Sequence, residues 1–60
     1  MTLGEKMIRY RAKHRMTQEE FSKLAGISIQ TISYIEREKQ TPSRITKAKI
    51  EMIIEEDEEA

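Results

Sequence analysis

The apolar residues of this 60-residue chain recur at helical spacing. Leu3, Met7, Ile8 and Tyr10 form one set, Phe21, Leu24 and Ala25 a second, Ile32 and Ile35 a third, and Ile45, Ala48, Ile50, Ile53 and Ile54 a fourth. No stretch shows the strict alternation of a half-buried strand, so four helices are predicted. Thr2 with Glu5 and Thr17 with Glu20 each read as a capping box, in which a hydroxyl and a carboxylate satisfy the first free amides of a helix. The first helix should run toward Lys13 or His14. Met16 and Phe21 flank the second cap as a hydrophobic staple, and Gly26 ends that helix because it accepts a left-handed backbone. Ser28 caps the third helix, with Ile27 stapled to Ile32. Pro42 and Ser43 start the fourth, which is expected to fray in the acidic run.

Only Ile27 separates Gly26 from Ser28, so the second and third helices must cross steeply. Residues Gln18 to Ile35 meet each demand of a helix-turn-helix: apolar Phe21, small Ser22 beneath the crossing helix, apolar Ala25, Gly26 in the turn, then Ile27, Ile32 and Ile35 facing inward. This leaves Ser28, Ile29, Gln30, Ser33 and Tyr34 facing outward, where a major-groove reader presents its side chains. Gln30 has the donor and acceptor for a bidentate pair with adenine, Ile29 can touch a thymine methyl, and Tyr34 can do either. The competing account is a helical hairpin in which Gly26 is only a cap and Gln30 and Tyr34 fill surface.

Charge changes the picture. The formal net charge is zero, but residues 1 to 50 hold all 11 Lys and Arg and five Glu, a net +6, while residues 51 to 60 hold six acids and no base, a net −6. A basic body with an acidic end suits a polyanion partner, although a charged surface also serves solubility. We divide the chain into a helix-turn-helix domain, residues 1–54, and an acidic tail, residues 55–60. That tail, if mobile, would compete with phosphate for the basic face.

Sixty residues allow one domain that buries only about 60% of its unfolded surface, leaving little room for an elaborate active site. Without cysteine there is no disulfide, thiolate metal site or Cys nucleophile. The lone His14 has no acid partner at triad spacing and reads as a cation at a helix end. No enzyme activity, metal or cofactor is expected. The apolar runs are too short for a membrane span or signal segment, so a cytoplasmic location without membrane association is expected.

Taken together, Thr17-Gln18-Glu19-Glu20-Phe21, Leu24-Ala25-Gly26-Ile27-Ser28, Thr31-Ile32-Ser33, Ile35-Glu36-Arg37 and Pro42-Ser43 resemble the phage repressor and Cro family of helix-turn-helix regulators, also called xenobiotic-response-element-like. The resemblance runs from Leu3 to about Ile50. It implies an all-α, lambda-repressor-like domain of four helices lacking the usual fifth, acting as a transcriptional repressor. It places Ser28, Ile29, Gln30, Ser33 and Tyr34 on the base-reading face, and Thr17, Gln18, Arg37, Lys39 and Arg44 on phosphates. It pairs Arg11 of the first helix with Glu36 of the third. The partner it implies is double-stranded DNA with a palindromic operator, bound by a homodimer. Arg15 and Glu38 depart from the family, which has glycine there in turns with positive φ. The rival reading keeps the fold but binds protein, as an antitoxin-like or antirepressor module. A DNA reader keeps positions 28 to 34 polar and free of acids, with bases close by, whereas a protein binder shows a larger apolar patch.

Overall fold

The computed structural model describes Met1 to Glu59, and Ala60, the end of the acidic tail, lies outside the described residues. The elements are α1 (Leu3–His14), α2 (Gln18–Ala25), α3 (Ile29–Glu36) and α4 (Arg44–Glu59).

Local chemistry sets the helix starts. The Thr2 amide donates to Glu5 Oε1 at 3.0 Å and the Glu5 amide to Thr2 Oγ1 at 3.2 Å. Thr17 and Glu20 repeat the exchange at 2.8 and 3.0 Å. These amide donors favour the ionised carboxylates and hold Glu5 and Glu20 below the ordinary carboxylate range. Ser28 accepts from the Thr31 amide, and Ser43 from the Thr46 amide, at the starts of α3 and α4.

A left-handed residue follows each of the first three helices, directly after α1 and α2 and one residue further on after α3, where Arg37 intervenes. Arg15 has φ 52°, Gly26 φ 69° and Glu38 φ 57°. After α1 the Arg15 and Met16 amides return to Ala12 and Arg11 carbonyls, and after α3 the Glu38 and Lys39 amides return to Ile35 and Tyr34. Both are Schellman closures, which consume carbonyls that the helix end leaves free. Arg15 and Glu38 adopt this backbone despite the Cβ that makes it costly.

All four helices contribute to one core of Met7, Phe21, Ala25, Ile32, Ile35, Ile50 and Ile54. Met7, Phe21, Ile32 and Ile50 are fully buried, each contributing about 1.5 to 3 kcal/mol by leaving water. Tyr10 packs edge-on to Phe21 with ring centroids 5.6 Å apart. Met16 and Ile27, expected as staples, pack against the core. Helix α3 packs on α1 and α2, and α4 packs on the same pair. At Gly4 a Cβ would lie 2.5 Å from the Ile35 carbonyl oxygen, so this glycine permits α1 and α3 to touch backbone to backbone.

Three expectations need correcting. Leu24 is 52% exposed and Ile45 70% exposed, and Ala48 is exposed as well, so these apolar residues lie outside the core. Helix α4 does not fray in the acidic run but continues to Glu59. Residues 55 to 59 of the expected tail are therefore its last turns. Burial of Ile54 and the pairing of Asp57 with α1 hold those turns against their unfavourable dipole. No helix among the described residues is long and apolar enough to cross a membrane.

Candidate nucleic-acid interface

The outward face of α3 is built by its cap and its inward isoleucines. With Ile32 and Ile35 buried, helical spacing turns Ile29, Gln30, Ser33 and Tyr34 away from the core. Ile29 is 47% exposed, Gln30 is exposed, and Ser33 and Tyr34 are half-buried. Gln30 Nε2 donates to the Tyr34 hydroxyl at 3.0 Å, which braces the two side chains one turn apart. The Gln30 amide keeps its oxygen and a second N–H, the pair that an adenine edge requires. The Arg37 guanidinium sits 5.5 Å above the Tyr34 ring centre, joining a basic group to the same surface. Ser28 is engaged differently. Its oxygen accepts from the Thr31 amide and its hydroxyl donates to Thr31 Oγ1 at 2.8 Å, so capping claims most of its capacity.

Lys39 and Arg44 are exposed on the connection to α4 and at its first turn. Thr17 caps α2, whose first turn also carries Glu19 and Glu20. Glu20 is folded back on Thr17, and Glu19 lies 3.5 Å from Lys23. The free amides at this helix start suit a phosphate oxygen. Gln18 points inward more than its expected phosphate role requires: its Nε2 donates to Glu36 Oε1 at 3.0 Å. One N–H of that amide is left for a phosphate.

Arg11 and Glu36 hold α3 from behind. The guanidinium donates through Nε and Nη2 to the two carboxylate oxygens, each at 2.6 Å, and through Nη1 to the Met16 carbonyl at 3.1 Å. The Glu36 side chain is only 4% exposed and that of Arg11 20%. Hydrogen bonding to Glu36 raises the Arg11 pKa, so the group stays a cation at every relevant pH. Ser22, under the crossing of α2 and α3, donates its hydroxyl to the Ile27 carbonyl and accepts the Gly26 and Ile27 amides on its own carbonyl.

Three contacts escape sequence reasoning. Gln18 reaches Glu36, Gly4 makes room for α3, and Asp57 accepts from Lys13 Nζ at 2.8 Å while meeting His14 Nε2 at 2.8 Å. The Lys13 donor is the main cause holding Asp57 below its ordinary range, and Asp57 in turn raises Lys13. The acidic end of α4 is thus fastened to the end of α1. A mobile polyanion lying over α3 is not what the structure shows.

The sequence profile described as "helix-turn-helix" matches residues 7–55. An uncharacterized HTH-type transcriptional regulator of Archaeoglobus fulgidus is 43% identical over 58 aligned residues, covering 83% of this chain and 82% of that protein. No solved structure matches the chain.

Proposed function

The chain belongs to the helix-turn-helix family of Cro type, a family of typically non-enzymatic, DNA-binding transcriptional regulators, and on that premise we propose that it is a repressor reading the major groove with α3. The observation that carries this reading is the outward face of α3. From Ser28 to Ile35 it holds no acid, it presents Ile29 and a braced Gln30–Tyr34 pair, and Arg37, Lys39 and Arg44 follow it. In this reading Gln30, Ile29, Ser33 and Tyr34 meet base edges, with Ser28 contributing its remaining lone pair. Thr17, Gln18, Arg37, Lys39 and Arg44 hold phosphates and set the register. Two copies occupy a palindromic operator, one α3 in each half-site about 34 Å apart, and repress by occupying it.

Selection of bound duplexes from a random pool tests this. The expected product is a palindrome whose half-sites are protected in successive major grooves. A pool that enriches no sequence would refute base reading and favour a protein partner for the α3 face.

A further inference from the structure

The charges of α4 run against those that stabilise a helix standing alone. Arg44, Lys47 and Lys49 lie in its first half, which Glu51 closes, and Glu55, Glu56 and Glu58 in its second. The macrodipole favours the reverse order. Helices α1 and α2 obey it, with Glu5, Glu19 and Glu20 in first turns and Arg11, Lys13, His14 and Lys23 in last turns. Helix α4 also turns an apolar stripe to solvent. Ile45 is 70% exposed and Met52 60%, with exposed Ala48 between them. At 3.6 residues per turn these three share one face, opposite the face that buries Ile50 and Ile54. By the same spacing Arg44 and Glu55 border the stripe on one side, and Lys49 and Glu56 on the other.

Building on the dimeric reading above, we infer that this face is where two copies of the chain meet, with their fourth helices antiparallel across a twofold axis. Both oddities of α4 are then explained. Antiparallel pairing about an axis near Ala48 sets Arg44 of each helix beside Glu55 of the other, and it sets the two macrodipoles in opposition. It covers Ile45, Ala48 and Met52 with the same residues of the second copy, as an isologous interface must. A parallel pair would instead align like charges along its whole length. A second copy carries the required charge gradient by construction, whereas an unrelated partner would need to reproduce it. The small side chain of Ala48 lets the helix backbones approach closely. Helices α3 and α4 have little direct contact, and the stripe is formed by α4 alone, so the pairing uses none of the residues of the α3 face. A helix of 16 residues is about 24 Å long, so the contact falls below the ~1,200 Å² of stable interfaces, and the dimer is weak until adjacent half-sites tether both copies.

Sedimentation equilibrium of the full chain, without DNA and at low salt, tests the inference. Ile45→Asp and Met52→Asp are expected to weaken self-association about tenfold or more. Ile8→Asp, at an exposed apolar position on α1, should leave it unchanged. Circular dichroism verifies that each variant keeps its helix content. Arg44→Glu and Glu55→Lys should each weaken association alone and recover wild-type association when mixed in equal amounts, since every reversed charge then meets its opposite. If Ile45→Asp and Met52→Asp associate like the wild type, the interface lies elsewhere and only this inference is lost. A mixture that associates no better than its components would overturn the antiparallel arrangement. Wild-type protein that stays monomeric at high concentration, and loads on the selected operator as single copies, would remove the dimeric reading and this inference with it.

Discussion

Replacing Arg11 with alanine removes three hydrogen bonds at once and leaves Glu36, with a side chain 4% exposed, facing the interior without its cation. Breaking a fully buried pair costs about 3 to 5 kcal/mol. The cost here is smaller for two reasons. Arg11 is itself 20% exposed, so water can enter its place, and Gln18 still donates to Glu36. A loss of about 2 to 3 kcal/mol is expected, which in a domain this small lowers Tm by roughly 10 to 20 °C. Arg9→Ala is the control, because Arg9 reaches only Met1 Sδ at 3.6 Å on the exposed side of α1, and its loss should fall within about 0.5 kcal/mol. Replacing both charges, as Arg11→Met with Glu36→Leu, should restore much of the stability, since the desolvation of two charges offsets most of their attraction. Urea and thermal unfolding followed by circular dichroism measure all three. Equal midpoints for Arg11→Ala and Arg9→Ala would refute the assignment of a structural role to the bridge.

Gln30→Ala and Tyr34→Ala should each relax base preference at defined operator positions by about 1 to 3 kcal/mol, whereas Lys39→Ala should weaken operator and random DNA alike and reduce the salt dependence, as competition binding at two salt concentrations reports. Arg15→Gly and Glu38→Gly, at φ 52° and 57°, should be neutral or stabilising by up to about 1 kcal/mol in urea unfolding despite the added chain entropy. Gly4→Ala should destabilise by about 1 to 3 kcal/mol, because its Cβ would meet the Ile35 carbonyl at 2.5 Å and push α1 from α3. Glu5, Glu20 and Asp57 are held below their ordinary values, so the stability they contribute is present above the unfolded-state pKa and is lost as pH falls through their depressed values. Melting temperature should therefore fall below about pH 4.5, and Asp57→Asn should show a smaller fall.

Legibility in the sequence followed the range of the interactions. The starts of α1 and α2 are readable because hydroxyl and carboxylate lie three residues apart, and the turn into α3 because Gly26, Ile27 and Ser28 are consecutive. The positive φ of Arg15 and Glu38 was readable only by resemblance, since neither side chain announces it. The Arg11–Glu36 pair, 25 residues apart, was likewise reached through resemblance. Helix α4 was harder. It carries apolar residues on two faces, Ile50 with Ile54 and Ile45 with Met52, so periodicity alone could not say which face is buried. Its acidic end looked unfavourable on local electrostatics, and the decisive contacts come from Lys13 and His14 over 40 residues earlier. The resemblance puts Gln18 on phosphate, but its amide donates to the chain's own Glu36.

Glu36 shows why these local and distant contacts belong to one device. Helix α3 has only eight residues, too few to be stable alone, so its form and its angle are imposed from outside. At its start Ser28 closes the cap and Ser22 ties the turn through Ile27. At its end Glu36 accepts from Arg11 of α1 and Gln18 of α2, while Gly4 lets α1 press on the backbone of Ile35. Both ends of α3 are thus fixed to the two helices that carry the core. A helix held at both ends presents Ile29, Gln30, Ser33 and Tyr34 in one orientation, which would lower the ordering cost of the proposed DNA binding. The double replacement of Arg11 and Glu36 separates this from stability: it should fold well and still bind the operator less tightly, because apolar packing restores burial without restoring the angle. An operator affinity equal to wild type in that variant would show that core packing alone sets the position of α3.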